Sequence, residues 1–318
     1  MKLRLTTSVF LLAVAASLPL FISSKYYLHV AIISILYVII AQSLNLVVGY
    51  LGYISFAHNA LYGIGAYASA IMVVKLGISF WVALPAAIII TSLAGLLVGL
   101  LPLGLKLKGP YFALVTMAFG LVIMSVVHNW ESLTGGPKGF ASIPSPNALL
   151  GISFNSRQAY YYLVLFFATL VVLFMWRLTK SKVGRTFEAI REDEDMAEAI
   201  GVHVGYYKVL CFTISSGLMG LAGSLFAHYS RFLGPDMFAL SEAVDQLTMV
   251  IIGGMGTIGG PIIGAILLVI LPEALRGLAG YRQIIFSVIL ILAIMFMPKG
   301  LAGLFDWATK KVANKFPK

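Results

Sequence analysis

Carboxylates are concentrated in one short stretch of this chain, EAIREDEDMAEAI, which runs from 188 to 200. The stretch contains six of the twelve acidic residues: Glu188, Glu192, Asp193, Glu194, Asp195 and Glu198. Clustered carboxylates could bind a cation, but this run lacks the alternating ligands and the central glycine of a calcium loop. We therefore expect no metal site here. A solvated loop and a surface that docks on another protein remain as alternatives.

The apolar residues of the same stretch follow a helical period. Phe187, Ile190 and Ala197 fall on one helical face, with Ile200 beside it, and Gly201 follows as a C-cap. Helices that lie on a membrane surface prefer Lys and Arg on their polar face, so six acids argue against that placement. The pattern favours short amphipathic helices that dock on a soluble partner.

A second set of candidates consists of polar side chains within apolar segments, where they are costly and usually face a cavity or a neighbouring helix. The set comprises Gln42, Asn45, Ser55, His58, Asn59, Asp245 and Gln246. Interhelical hydrogen bonds would explain each residue, and the functional alternative is the polar lining of a translocation path. His58 stands out because its charge can change near neutral pH.

Glycines interrupt two of these segments at matching places. Gln42 and Gln246 are each followed by glycines seven and ten residues later. Glycine costs a helix interior about 1 kcal/mol and proline about 3, so both segments are expected to break. Paired breaks of this kind point to a substrate path, although glycine also serves close helix packing. The predicted break residues are Gly49, Gly52, Gly253, Gly254, Gly256, Gly259, Gly260 and Pro261.

The elements that must position these residues are membrane helices. The chain is 60% apolar and 11% charged, whereas soluble domains carry about 25% charged residues. Its apolar runs have roughly the 20 residues that a helix needs to cross a bilayer. We expect an all-α polytopic membrane protein of about nine or ten segments, some of them glycine-interrupted. It would form one domain over 1–318, with a cytoplasmic loop at 178–206.

The expected spans are easiest to give together. They lie at about 8–22, 27–48, 56–74, 80–105, 111–129, 159–177, 207–230, 244–272 and 282–297. The glycine-rich run in 244–272 could divide that span into two half-helices that enter the membrane and return.

The net charge of +10 does not require a nucleic-acid partner, because Lys and Arg gather at span ends as they do in cytoplasmic loops. Arg177, Lys180, Lys182 and Arg185 form the strongest such group. The first span is expected to be uncleaved, with a cytoplasmic N-terminus. The sequence has no G-x4-G-K-[ST] motif and no nucleophile–base pattern. These features favour a transporter without its own ATPase site, cofactor or metal.

The sequence resembles the LivM-type permeases, membrane subunits of bacterial ABC importers for branched-chain amino acids. RTFEAIREDEDMAEAIGVHVGYYKVLCFTISSGLMGLAGSLFAH is similar to the family's cytoplasmic loop and following helix. GYLGYISFAHNALYGIGAYASA is similar to its Gly-x-x-Gly-x-x-Ser-x-Gly-His segment, with Ala57 where glycine is usual. LTGGPKGFASIP and VIIGGMGTIGGPIIGA resemble an outer loop and a closing segment. The similarity extends over nearly the whole chain.

The resemblance implies that 185–201 is a coupling helix that seats in an ATPase subunit. The residues that would form it are Arg185, Phe187, Ala189, Ile190, Arg191, Glu192, Asp193, Ala197 and Gly201. It also implies a second homologous permease, two ATP-binding subunits that carry ATP and Mg, and a periplasmic or lipid-anchored substrate-binding protein, all at the bacterial inner membrane. Similar permeases carry urea, short amides or other amino acids. An ion-coupled secondary transporter is the alternative from another class.

Overall fold

The computed structural model describes residues 13–21, 24–105, 109–149 and 151–275, with isolated positions between 281 and 303. The expected first span is described only over 13–21, which is helical. Most of the expected last span, about 282–297, lies outside the described residues.

The described chain is almost entirely helical. Its helices are α1 (Lys25–Asn45), α2 (Ala57–Leu76), α3 (Phe80–Leu105), α4 (Pro110–Asn129), α5 (Glu131–Thr134), α6 (Arg157–Lys180), α7 (Lys182–Glu192), α8 (Glu194–Ala199), α9 (Val204–Ser230), α10 (Leu240–Gly253) and α11 (Gly259–Ala274). A π-helix, Leu46–Leu51, continues α1, and short 3-10 turns cover Gly136–Lys138 and Pro235–Phe238. Strands β1 (Phe140–Ala141) and β2 (Phe232–Leu233) pair antiparallel.

Within the described residues, six helices are long and apolar enough to cross a membrane. They are Lys25–Leu51, Ala57–Leu76, Phe80–Leu100, Pro110–Asn129, Arg157–Lys180 and Val204–Ser230. These helices coincide with the second to seventh expected spans. The prediction of an all-α polytopic membrane protein is confirmed.

The interior is built around α1 and α9. About 72% of the apolar window of α1 and 67% of that of α9 are buried within the chain, against 17% for α4. The peripheral faces of α4 therefore remain available to lipid or to another subunit. Apolar side chains on that side can face the hydrocarbon of a bilayer without the free-energy penalty that exposure to water would carry.

Glycines allow α9 to approach its neighbours closely. A Cβ added at Gly223 would lie 2.1 Å from the Tyr62 carbonyl oxygen of α2. One added at Gly220 would lie 2.7 Å from the Thr91 hydroxyl of α3. No side chain fits at these distances, so the helices meet almost backbone to backbone. This is the small-residue packing that membrane helices use where water cannot drive association.

The expected eighth span is a hairpin of two helices. A Cβ at Gly253 would lie 2.2 Å from the Gly260 carbonyl oxygen, and one at Gly264 would lie 2.0 Å from that of Met249. These contacts pair α10 and α11 antiparallel. The helices have 14 and 16 residues, fewer than the ~20 needed for a full crossing. They therefore have the lengths of half-helices.

The turn of this hairpin depends on glycine. Gly254 and Gly256 have φ values of +118° and +71°, a region of backbone space that residues with a Cβ rarely adopt. Gly259 and Gly260 begin α11, and Pro261 lies in its first turn, where a missing N–H costs no intrahelical bond.

Candidate functional site

The acidic segment folds into two short helices, α7 and α8, that meet at Asp193. This residue has an extended backbone, with φ −156° and ψ 109°. Its side chain accepts the N–H of Met196 at 2.9 Å and so caps α8. The Ser181 hydroxyl caps α7 by accepting the N–H of Gly184 at 3.3 Å. Local capping therefore divides the helix that the resemblance implied over 185–201.

Gly201 ends the second helix with a Schellman motif. Its φ is +91°, its N–H bonds to the Glu198 carbonyl, and the N–H of Val202 bonds to that of Ala197, both at 3.0 Å. A Cβ at Gly201 would meet nothing within 4 Å. Backbone conformation, not packing, requires glycine here.

The apolar face of the segment points into the interior of the chain. Phe187, Ile190 and Ala197 are buried, and the Phe187 ring packs edge-on against Tyr207 of α9 at 6.3 Å between centroids. Ile200 was expected beside this face but is 75% exposed. The break at Asp193 interrupts the helical period, so Ala197 of α8 still points inward, whereas Ile200, which follows α8, does not.

Two side chains of the segment, Arg191 and Glu194, fasten it to the region just after α1 and to the start of α9. Arg191 donates from Nη1 to the carbonyl oxygen of Gly49. Glu194 accepts the Tyr53 hydroxyl and the Lys208 ammonium, each at 2.6 Å. Burial raises the pKa of the Tyr53 phenol, and the Glu194 carboxylate raises that pKa further. The phenol therefore stays protonated and donates.

The other predicted residues of the segment lie further out. Arg185 and Glu192 are exposed, and Ala189 is half-buried. Arg185 donates to the Lys180 carbonyl at 3.2 Å. Within the described ranges, no group of three or more His, Cys, Asp or Glu side chains could hold a metal ion.

His58 is buried in a network of hydroxyl groups. Its Nδ1 lies 3.0 Å from the Ser55 Oγ, and its Nε2 lies 3.1 Å from the Ser215 Oγ of α9. Ser43 of α1 donates to the Ser215 carbonyl at 2.6 Å. A neutral imidazole satisfies this arrangement, because one nitrogen donates and the other accepts. The network joins α1, α2 and α9.

Asn59 belongs to a second network, which joins α2 to α10. Gln246 donates from Nε2 to the Asn59 Oδ1 at 2.9 Å, and Asn59 donates to the Ala239 carbonyl at 3.1 Å. Asp245, which precedes Gln246 in α10, is exposed. The predicted polar set is therefore divided between a buried cluster and one exposed carboxylate.

Gln42 and Asn45 hold the turn between α10 and α11. Gln42 donates to the Ile258 carbonyl at 2.6 Å, and Asn45 donates to the Thr257 carbonyl at 2.8 Å. Asn45 also accepts the Gly256 N–H at 3.0 Å. Side-chain amides thus satisfy backbone groups that the helix break frees, as irregular backbone at membrane depth requires.

The predicted glycine breaks meet in space. A Cβ at Gly49 would lie 2.4 Å from the backbone nitrogen of Gly256, so the two backbones touch. Gly52 terminates the π-helix with φ +84°.

Comparison with known proteins places the sequence in a family. The family described as "Branched-chain amino acid transport system / permease component" matches residues 26–298. This chain belongs to that family. The match covers every membrane-length helix of the described structure.

Several curated relatives are similar to the permease over most of its length. LivM of Salmonella typhimurium and LivM of Escherichia coli K12 are each 33% identical, over 314 and 316 residues. Both alignments cover 92% of the permease and 73% of the relative. LivH of Salmonella typhimurium is 29% identical over 286 residues, covering 84% of the permease and 91% of the relative. No solved structure gives a significant match.

Sequence reasoning missed several partners that the permease uses. Ser215 forms a hydrogen bond with His58. Tyr53, Glu194 and Lys208 form one hydrogen-bonded cluster. Ser215 lies in a run of small residues, a pattern that is typical of close packing between membrane helices. The sequence predicts Glu194 only as one of six clustered acids, because nothing local distinguishes a carboxylate that points inward from one that faces solvent. In the sequence, Lys208 is only one residue of the segment that resembles the family's cytoplasmic loop and following helix.

Proposed function

We propose that this chain is the permease subunit of an ATP-driven importer of branched-chain amino acids, and that α7 and α8 receive a separate ATP-binding subunit. Family membership supports the transport role, since the relatives are high-affinity branched-chain amino acid transport permeases. The structural observation that supports docking is the division of the segment: its inner face is anchored, whereas its outer face carries exposed apolar and acidic side chains.

The proposed docking surface consists of three exposed apolar residues with carboxylates around them. Met196, Ile200 and Tyr206 are 66%, 75% and 64% exposed. Beside them, Glu198 and residues 201–206 line an open groove of about 560 Å³. Apolar anchors supply most of the binding energy at such a surface. Surrounding charges act more on orientation and association rate.

The proposed topology follows from charge. Arg177, Lys180, Lys182 and Arg185 lie at the end of the molecule that bears α7 and α8, and basic loops face the cytoplasm. The docking surface and the N-terminus then face the cytoplasm, and the chain as a whole lies in the inner membrane. The partners are a related second permease, two ATP-binding subunits carrying ATP and Mg, and a substrate-binding protein at the opposite end.

A translocation path near the buried polar cluster is part of the proposal. Among the residues that the structure describes, the amide oxygens of Gln42 and Gln246 are buried side-chain atoms without a hydrogen-bond partner. An ammonium group is the kind of donor that such acceptors suit. The residues proposed for the path remain Gln42, Asn45, Ser55, His58, Asn59, Asp245 and Gln246.

Transport by the reconstituted complex tests the function. Proteoliposomes containing both permeases, the ATP-binding subunits and the binding protein should take up leucine only with ATP on the nucleotide-binding side. Uptake driven by a proton gradient without ATP would instead identify a secondary transporter. Competition by urea or short amides, without competition by isoleucine or valine, would refute the proposed substrate class.

Ile200→Asp tests the docking surface. The charge should weaken an apolar contact, so we expect roughly tenfold weaker retention of the ATP-binding subunit on purified permease, about 1.4 kcal/mol. Ile200 is better suited to this test than Ile190, whose burial means that a charge there would disrupt the permease itself.

Ile152→Asp is the matched control. This isoleucine is also exposed, at 57%, but it lies between α4 and α6, away from α7 and α8. The control should retain the ATP-binding subunit as the wild type does. Equal retention by the Ile200 variant would contradict the proposed surface.

A further inference from the structure

Arg191 contacts both glycine breaks from the end of α7. Its Nη1 donates to the Gly49 carbonyl oxygen in the π-helix. A Cβ added at Gly52 would lie 2.6 Å from the Arg191 Cγ, and one added at Gly256 would lie 2.7 Å from the Nη1. The side chain therefore passes over Gly52 and ends with its guanidinium group beside Gly49 and Gly256. The absent side chains of Gly52 and Gly256 provide the space that it occupies.

The position of the guanidinium group fits the electrostatics of a helix end. Gly49 lies in the last turn before Leu51, where carbonyl groups lack intrahelical partners. The C-terminal end of a helix carries partial negative charge and favours a cation. Hydrogen bonds to charged groups are also stronger than neutral ones. Arg191 thus binds where α1 and its π-helical extension end.

The two breaks form one mechanical unit because their backbones touch. Gly49 packs directly on the Gly256 nitrogen, and Asn45 accepts that same N–H at 3.0 Å. A displacement of the Arg191 guanidinium therefore acts on α1 and on the α10–α11 turn together.

A second contact keeps α8 aligned with the same region. Glu194 binds Tyr53 and Lys208, and the Lys208 ammonium lies 4.6 Å from the centroid of the Tyr53 ring. These contacts end at the loop after the π-helix and at the start of α9. Arg191 differs from Glu194 because only Arg191, among these two, contacts the breaks themselves.

We propose that Arg191 is a positioning residue that transmits movement of α7 and α8 to the paired glycine breaks. The inference rests on the proposed function, because it needs a motor that moves α7 and α8. It gives Arg191 a role within the permease that is separate from a contact with the ATP-binding subunit. Loss of the side chain should leave docking intact and disconnect hydrolysis from transport.

The test is the number of ATP molecules hydrolysed per leucine transported by the reconstituted complex. Arg191→Ala should raise this ratio roughly tenfold, the scale of one lost hydrogen bond to a charged group. Retention of the ATP-binding subunit should not change. Lys182→Ala is the control, since it removes one exposed cation from the same helix. A wild-type ratio for Arg191→Ala would overturn the inference.

Two further variants keep the test decisive. If Arg191→Ala does not assemble, Arg191→Gln, which retains a donor without the charge, should give an intermediate ratio, and a wild-type ratio would refute the inference. In a double-mutant cycle, Gly52→Ala should reduce the stability of the permease less in the Arg191→Ala background than in the wild type. The added methyl group then no longer meets the arginine side chain. Additive losses of stability in this cycle would also count against the inference. Absence of ATP-dependent uptake by the wild type would instead refute the proposed function.

Discussion

The two glycine breaks share a spacing from glutamine but fold differently. After Gln42, the chain continues through Gly49 as a π-helix, and Gly52 then terminates it. After Gln246, the helix ends at Gly253 and the chain reverses direction into α11. Glycine permits a departure from the α-helix at both places. The surrounding contacts decide which departure occurs.

The contacts around the breaks differ in origin. Arg191 of α7 holds the first break, and Glu194 of α8 binds Tyr53 on the loop that follows this break. The second is held from within the helix bundle by Gln42 and Asn45 of α1. The first break thus faces the proposed motor, and the second rests on the first. A movement of Arg191 would act on both breaks at once, because its guanidinium group lies beside Gly49 and Gly256.

The largest expected effect is at the hairpin. Gly264→Ala places a methyl group 2.0 Å from the Met249 carbonyl oxygen, where backbone on both sides prevents relief. We expect a loss of at least about 3 kcal/mol of stability, at the upper end of overpacking costs. Thermal unfolding of purified permease measures it.

Gly259→Ala in the same helix is the control, because a Cβ there meets nothing within 4 Å. It should be neutral. Equal melting temperatures for the Gly264 and Gly259 variants would show that α10 and α11 do not pack as a hairpin, and the contrast between the two breaks would disappear.

Asn45→Ala should have the next largest effect. It leaves the Gly256 N–H and the Thr257 carbonyl without their partner, and a buried polar group left unpaired costs about 1–3 kcal/mol. We expect a decrease of about 2 kcal/mol in stability, together with reduced leucine uptake.

Ser34→Ala is the matched control on α1. The Ser34 hydroxyl donates only to the Val30 carbonyl of its own helix, at 2.8 Å. Its loss should cost under about 1 kcal/mol. If the Asn45 and Ser34 variants were equally stable, the second break would not depend on α1.

His58→Ala should affect transport more clearly than stability. The change removes contacts with Ser55 and Ser215, but Ser215 retains a bond to the Phe212 carbonyl. The removal of a buried imidazole also leaves a cavity, so we expect a loss of about 2 kcal/mol in stability. Uptake should fall several-fold while membrane insertion is retained.

Ser55→Ala removes one of these contacts and leaves the imidazole in place. Its uptake should lie between that of the wild type and that of His58→Ala. Normal uptake by His58→Ala would exclude His58 from the path and limit the role of the first break to its contact with α7.

The apolar segments were predictable because each must satisfy its own backbone in lipid, and this constraint acts locally. The cap at Gly201 and the break before α11 were predictable because the conformational freedom of glycine also acts locally. The placement of Ile200 was not, because the helix is interrupted at the extended residue Asp193 and the second helix already ends at Ala199. The π-helix was not predictable either, since its sequence differs little from that of an α-helix. The roles proposed for the coupling and path residues stay predictions.

By itself, the sequence determined that this protein is a bundle of membrane helices, where those helices lie, and which family it belongs to. Burial of apolar runs and glycine chemistry depend on residues close in the chain. Only the tertiary structure decided that Arg191 lies beside both Gly49 and Gly256, and that Asn45 holds a turn 211 residues away. Such contacts depend on the relative placement of helices, and no local pattern encodes the direction in which a side chain meets a distant backbone.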